Sequence, residues 1–439
     1  MIIKNGLILL PGGLKKCNLE ISNGVISKVS RKAIEGNSHN IIDAKGEYVL
    51  PGFVDLHTNG IAGFDLTNGF YDFETEDFIC DEESYLNGLE IALREYARTG
   101  ATRVVLTSLA APLDQLKKVF QYVSKYKSDP AKSPLKEILN GIFVEGTFIK
   151  LHDYRGAHNP GYFNEPSTGL FNELQEAAGG LIKIVNVVPE WGDPAFKLIE
   201  YLSSRNIVCA AGHTGASGIQ YKRAIKNGLK LAVHFLNGPT GSSGKSLGGG
   251  GAVETILREA DMFVEMISDG YHVDKSYVMD TIKRKGFDKT IAITDSMFAA
   301  GFKGLKEFHV LGVNGAVSQN GEYIGITGRE HALFGSMLTM DSAFSNILTW
   351  LTTPIEGVWN KMHYPLEFED ALIKTSALCS KNPASILGIY KPDRGEELKN
   401  YTGSIEPGKS ADIIIADIEN KGERFQLKID KVIVQGDLL

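Results

Sequence analysis

The chain has 439 residues, with 46 Lys and Arg against 53 Asp and Glu, a formal charge of −7. Hydrophobic residues make up 43% and charged residues 23%. That profile excludes a disordered chain, which could not bury enough apolar surface to offset its ordering entropy. The mild acidity excludes a general nucleic-acid binder, which needs a basic face, but leaves room for a basic pocket that takes one small anion.

The first fifty residues read as short strands and turns: IIKNGLILL, CNLEIS and GVISKVS, separated by Gly, Asn and Lys. The opening MIIKNGLILLPGG breaks at Pro11-Gly12-Gly13 and does not read as a signal peptide. No uncharged apolar run approaches the ~20 residues of a membrane span. A cytoplasmic protein without a membrane partner is expected. Cys17, Cys80, Cys209 and Cys379 are far apart and form no C-x-x-C, which fits reduced thiols rather than disulfides or a thiolate zinc site.

From residue 51 the rhythm changes. Eight short apolar runs recur: FVDLH (53–57), RVVLTS (103–108), GIFVEG (141–146), IKIVNVVPE (182–190), IVCAAGH (207–213), LAVHFLN (231–237), MFVEMISDG (262–270) and TIAITDS (290–296). Near-continuous apolar strands point to a parallel sheet buried on both faces. Between them, SYLNGLEIALREYARTG and DPAFKLIEYLSSRN space their apolar residues as amphipathic helices do. Eight strand–helix units over roughly 300 residues predict an α/β protein with a (β/α)8 TIM-like barrel; a doubly wound open sheet is the rival. The last forty residues, ADIIIADI and LKIDKVIVQG, return to the texture of the first fifty. The expected division is a small β-sandwich domain from residues 1–50 and 396–439, with the barrel at 51–395.

The polar residues at the ends of the runs share one chemistry. His57, Glu145, Glu190, His213, His234, Asp269, His272 and Asp295 follow or end successive runs. In a barrel those ends converge on one mouth, where imidazoles and carboxylates can hold a divalent metal. Each alone reads more readily as structural: Asp295 could cap a helix and Glu145 could be a turn residue. Jointly they are hard to obtain from structure alone, because buried unpaired charge is costly.

These residues sit in motifs that resemble the N-acetylglucosamine-6-phosphate deacetylase family of the amidohydrolase superfamily. The likeness spans nearly the whole chain: PGFVDLHTNG (51–60), VEGTFI (144–149), RGAHNP (155–160), AGHTGAS (211–217), VHFLNG (233–238), ISDGYHVD (267–274), ITDSMFAAG (293–301) and LFGSMLTMD (333–341). NPASILGI and GSIEPGKSADIIIAD fit its last helix and the return to the small domain.

The resemblance implies that Glu145, His213 and His234 ligate one divalent metal, zinc by preference, with iron, cobalt or manganese also compatible with such a set. It makes Asp295 the general base and His272 the residue that contacts the substrate carbonyl. Ala157, His158, Asn237 and Gly238 line the sugar phosphate site, and Leu333, Phe334 and Gly335 form a loop over the sugar. The implied partner is a small amino sugar phosphate, the implied assembly a homodimer. Two departures stand out. His57-Thr58-Asn59 replaces His-x-His, leaving His57 as the candidate for a second ion. Lys245 stands where members place an arginine that reaches into the neighbouring subunit, and it lacks the arginine's bidentate fork.

Residues 238–251, GPTGSSGKSLGGGG, superficially suggest a phosphate-binding P-loop, but Pro239 stands where the first glycine belongs and Gly248 to Gly251 would break the helix it must open. Two rival functions are an amidohydrolase acting on a different hexosamine phosphate or on an N-acyl amino acid, and a non-catalytic binding protein on the same fold. Cyclic-amide members often carry a carboxylated lysine on the fourth strand; here Lys183 opens that run rather than ending it. Trp191, Trp350 and Trp359 read as packing residues and KKVFQYVSKYK as a solvated helix face.

Overall fold

A computed structural model of the chain describes residues 1–34, 40–239, 241–391 and 397–439. Each of the eight apolar runs forms a strand: β1 (Phe53–Thr58), β2 (Ala101–Ser108), β3 (Leu139–Phe148), β4 (Ile182–Val187), β5 (Val208–Ala211), β6 (Leu229–Ala232), β7 (Phe263–Ile267) and β8 (Thr290–Ile293). They pair in parallel in chain order. The end of β8 returns to β1: Asp295 N donates to His57 O at 2.8 Å, and Thr294 Oγ1 donates to Asp55 Oδ2 at 2.6 Å. The sheet therefore closes, and the barrel prevails over the open sheet.

Side chains alternate across it. Val54, Leu56, Val105, Phe143, Ile184 and Leu231 fill the barrel, while Phe53, Val104, Leu106, Ile142 and Val185 pack outward against helices. Both faces are buried, which is why the strands read as unbroken apolar runs. The two amphipathic stretches form helices at Glu82–Arg98 and Asp193–Ser203. Asp81 caps the first by accepting from Ser84 N, and its buried face carries Tyr85, Leu89, Leu93 and Tyr96.

The chain ends build one sheet. Ile2–Leu10, Gly13–Ser22, Val25–Ser30, Ile41–Asp43 and Tyr48–Pro51 join Ile413–Asn420, Phe425–Val434 and Asp437–Leu438 in eight strands. Its margins approach each other, with Ala411 N donating to Gly24 O and Ile26 N to Lys409 O, both at 2.9 Å. Ile8, Leu19, Ile26, Val49, Ile413 and Ile433 share one core, so the sheet folds over on itself. The buried ion pair of Arg103 and Asp412, at 2.8 Å, ties it to β2. The expected boundary at residues 395 and 396 lies outside the described residues.

Two four-stranded antiparallel sheets were not anticipated: one from Gly60–Ile61 to Asp77–Ile79, the other from Glu307–Val310 to Leu333–Ser336. Tyr71, Phe298, Phe308 and Phe334 pack them together in one aromatic cluster. Among the described residues no helix is long and apolar enough to cross a membrane.

Candidate active site

The strand ends deliver the expected side chains to one point. Glu145 lies on β3, His57 on β1, and His213, His234 and Asp295 lie two residues past β5, β6 and β8. Glu145 Oε1 is 3.2 Å from His213 Nε2 and 2.9 Å from His234 Nε2. Its Oε2 is 3.5 Å from His57 Nε2 and 3.4 Å from His158 Nε2. His57 Nε2 is also 3.4 Å from Asp295 Oδ1. All six residues are buried.

For His213 and His57, hydrogen bonds on the far side of the ring decide what the near side can do; His234 Nδ1 has no hydrogen-bond partner among the described residues. His213 Nδ1 donates to the Tyr154 carbonyl at 2.9 Å, which leaves Nε2 to face a carboxylate oxygen. His57 repeats this arrangement: Nδ1 donates to Glu265 Oε2 at 3.0 Å, and its buried Nε2 has no hydrogen-bond partner among the described residues. A cation between a ring nitrogen and a carboxylate, a proton or a metal ion, satisfies both. Imidazoles around a glutamate, one backed by a carboxylate and one by a carbonyl, suit a divalent metal.

His158 behaves differently. Its Nδ1 accepts from Ala110 N at 3.2 Å, so Nε2 carries the proton and donates to Glu145. It steadies the carboxylate and leaves no lone pair for a metal. Burial, outweighing the pull of Glu145, holds its pKa below the ordinary value and keeps the ring neutral.

Charge in the cluster is strongly coupled. Burial opposes the charge on Glu145, but His57, His158, His213 and His234 outweigh it and hold its pKa well below the carboxylate range. Burial also opposes a charged His57, yet Glu145, Asp295 and Glu265 raise its pKa well above the ordinary value. The site thus gathers enough negative charge to hold a cation.

Beside the cluster, His272 Nδ1 bonds Asp269 Oδ2 at 2.7 Å. Burial disfavours its charge, but Asp269 and then Asp295 raise the pKa above the ordinary value. Asn59 Nδ2 donates to Asp295 Oδ1 at 2.8 Å, fixing that carboxylate. The residue in place of the second strand-one histidine therefore serves the expected base. His213, His234 and Asp295 have φ of 54°, 25° and 50°, a strained region for side-chain-bearing residues. Such strain costs about 1–3 kcal/mol per residue and is found where function demands a particular aim.

Glu145, His158, His213, His234, His272 and Asp295 line a cleft with about 880 Å³ of open space, together with Ala157, Asn237, Gly238, Leu333, Phe334 and Gly335. His57 lies behind them. Gly238 leaves room for His234, since a Cβ there would lie 2.7 Å from its Nδ1. Lys245 is exposed and is not brought to the cleft. Glu190 turns aside to accept from Thr214 Oγ1 and Gly215 N. Trp191 donates to the Phe148 carbonyl and does not line the cleft. The P-loop likeness fails structurally, because the Glu254 carboxylate accepts the N–H groups of Ser243 and Gly251 that an anion would need; Thr240 lies outside the described residues.

Sequence reasoning missed three contributors. Glu265 on β7 accepts from both His57 Nδ1 and His234 N. Asn186 on β4 accepts from Gly212 N at 2.8 Å and donates to Glu145 O at 3.0 Å, bracing the segments that carry Glu145 and His213. Arg329 enters the cleft wall from the second antiparallel sheet. A charged residue inside an apolar run was the available signal for Glu265; Arg329 left none.

A closed barrel with this cluster at its mouth defines a metal-type hydrolase site, and the amidohydrolase family model matches residues 48–439. The chain belongs to the amidohydrolase family. Within it, the chain is 28% identical over 422 residues to N-acetylglucosamine-6-phosphate deacetylase of Bacillus subtilis (strain 168), covering 94% of this chain and 89% of that protein. It is 25% identical over 440 residues to N-acetylgalactosamine-6-phosphate deacetylase of Escherichia coli O157:H7, covering 98% and 97%. The crystal structure of N-acetyl-D-glucosamine-6-phosphate deacetylase from Mycobacterium smegmatis superposes with a TM-score of 0.79 at 22% identity over the whole of both chains.

Proposed function

We propose that this chain hydrolyses the N-acetyl group of an amino sugar phosphate, converting N-acetylglucosamine 6-phosphate and water to glucosamine 6-phosphate and acetate. The observation that carries this reading is the convergence of Glu145, His213, His234 and Asp295 beside His272 in one cleft. The names of the relatives supply the substrate class.

Glu145, His213 and His234 would hold one divalent ion, zinc by preference, which supplies Lewis acidity at the acyl group and makes water a stronger acid. Asp295, held by Asn59, takes a proton from the attacking water and returns it to the leaving amine. His272, its positive charge supported by Asp269, donates to the acyl oxygen as that oxygen gains charge. Ala157, His158, Asn237, Gly238 and the 333–335 loop enclose the sugar phosphate. The same reading includes a cytoplasmic homodimer, and a division of the chain into an end-sheet domain and a barrel domain.

Acetate release, measured on N-acetylglucosamine and N-acetylgalactosamine with and without the 6-phosphate and on N-acyl amino acids, tests the substrate. Turnover fastest on N-acetylglucosamine 6-phosphate is expected. Preference for the galactosamine ester would move the assignment within the class, and preference for an N-acyl amino acid would end it.

A further inference from the structure

An amino sugar phosphate brings a dianion into a cleft whose wall already carries the carboxylates of Glu145, Asp153 and Asp295. Among the described residues of that wall, Arg329 is the sole lysine or arginine. It lies on the turn between the strands Tyr323–Ile326 and Leu333–Ser336, with its own N–H on Ile326 O and its carbonyl taken by Ala332 N. Its Nη1 donates to Gly156 O at 2.5 Å, and no acidic side chain pairs with it among the described residues. The guanidinium thus ties the turn that precedes the 333–335 loop to Gly156, next to Ala157 and His158, residues that the resemblance sets around the sugar phosphate. It is half-buried, and burial followed by the nearby charge of Arg155 lowers its pKa. Two cations held close with no counter-charge for Arg329 make a place for an anion. The remaining N–H groups of a guanidinium form the planar fork that suits phosphate oxygens.

We propose that Arg329 grips the substrate's anionic group from within the same chain, the task that the resemblance would hand to exposed Lys245. This rests on the amino sugar phosphate reading.

The test compares wild type, Arg329→Ala, Arg329→Lys and Lys245→Ala, all loaded with metal. The readouts are kinetics on N-acetylglucosamine 6-phosphate and calorimetric binding of inorganic phosphate. Losing a charge-assisted contact in Arg329→Ala should raise KM for the ester and the phosphate Kd by about 10-fold or more, with kcat changing less than KM. Arg329→Lys should recover part of this. Wild-type KM and phosphate affinity in Arg329→Ala would overturn the proposal, as would the loss appearing in Lys245→Ala instead. Phosphate binding needs no turnover, so it judges Arg329 separately. A wild-type enzyme inert on every acetamido sugar, yet binding phosphate through Arg329, would refute the substrate reading while sustaining the anion site.

Discussion

His272 and Asp269 show how one pair sets a pH dependence. The ring's pKa is raised in the folded protein, opposed by burial and driven by Asp269. On the proposed function the protonated ring is the donor, so activity should fall as pH rises through that raised pKa. Asp269→Asn removes the partner and should move this alkaline limb to lower pH, which a kcat profile would reveal; an unmoved limb would detach His272 from it. Glu265 acts through two residues of the cluster, orienting His57 and His234. Glu265→Gln should weaken metal affinity by about 10–100-fold, measured by competition with a chelator. The cluster residues themselves were legible because imidazoles and carboxylates rarely end successive apolar runs by chance. Glu265 was not, because only the closed barrel shows that its Oε2 meets His57 on β1 and the His234 N–H after β6. Arg329 was hidden for a different reason: its neighbours Gly156 and Leu333 are far from each other in sequence.

At the scale of elements, the parallel strands declared themselves through unbroken apolar runs, whereas Phe308 and Phe334 gave no period that marks a short, half-exposed antiparallel strand. Barrel closure also has an element-level signature in Asp55, which joins β1 to Thr294 after β8. Complete burial, only partly offset by the bonds from Thr294 and His57, raises its pKa to about 7. A carboxyl group raised in the folded state favours folding when protonated. Its contribution is therefore complete below the unfolded value near 3.8 and is lost as pH climbs toward about 7. Urea denaturation should show stability declining over that window, and Asp55→Asn should flatten the decline. An equally steep slope in the variant would contradict the assignment. Asn186 braces β3 and the segment after β5, so Asn186→Ala strands the Gly212 N–H and should cost about 1–3 kcal/mol in the same assay.

For the whole molecule, the end sheet and the barrel share the buried Arg103–Asp412 pair. Removing one partner of a buried pair leaves an uncompensated charge, so Arg103→Ala should cost about 3–5 kcal/mol in the same denaturation series. That both chain ends build one sheet was legible in their shared short-strand texture; its folding over onto one core, with Gly24 beside Ala411, needed the structure. The proposed function makes the strand-end cluster a single-ion amide hydrolase. Its most direct test is acetate release from N-acetylglucosamine 6-phosphate by chelator-treated protein titrated with zinc. No turnover is expected without metal, and activity should saturate at about one ion per chain, as three protein ligands imply. Full turnover in the metal-free protein, or no recovery at any zinc level, would contradict it.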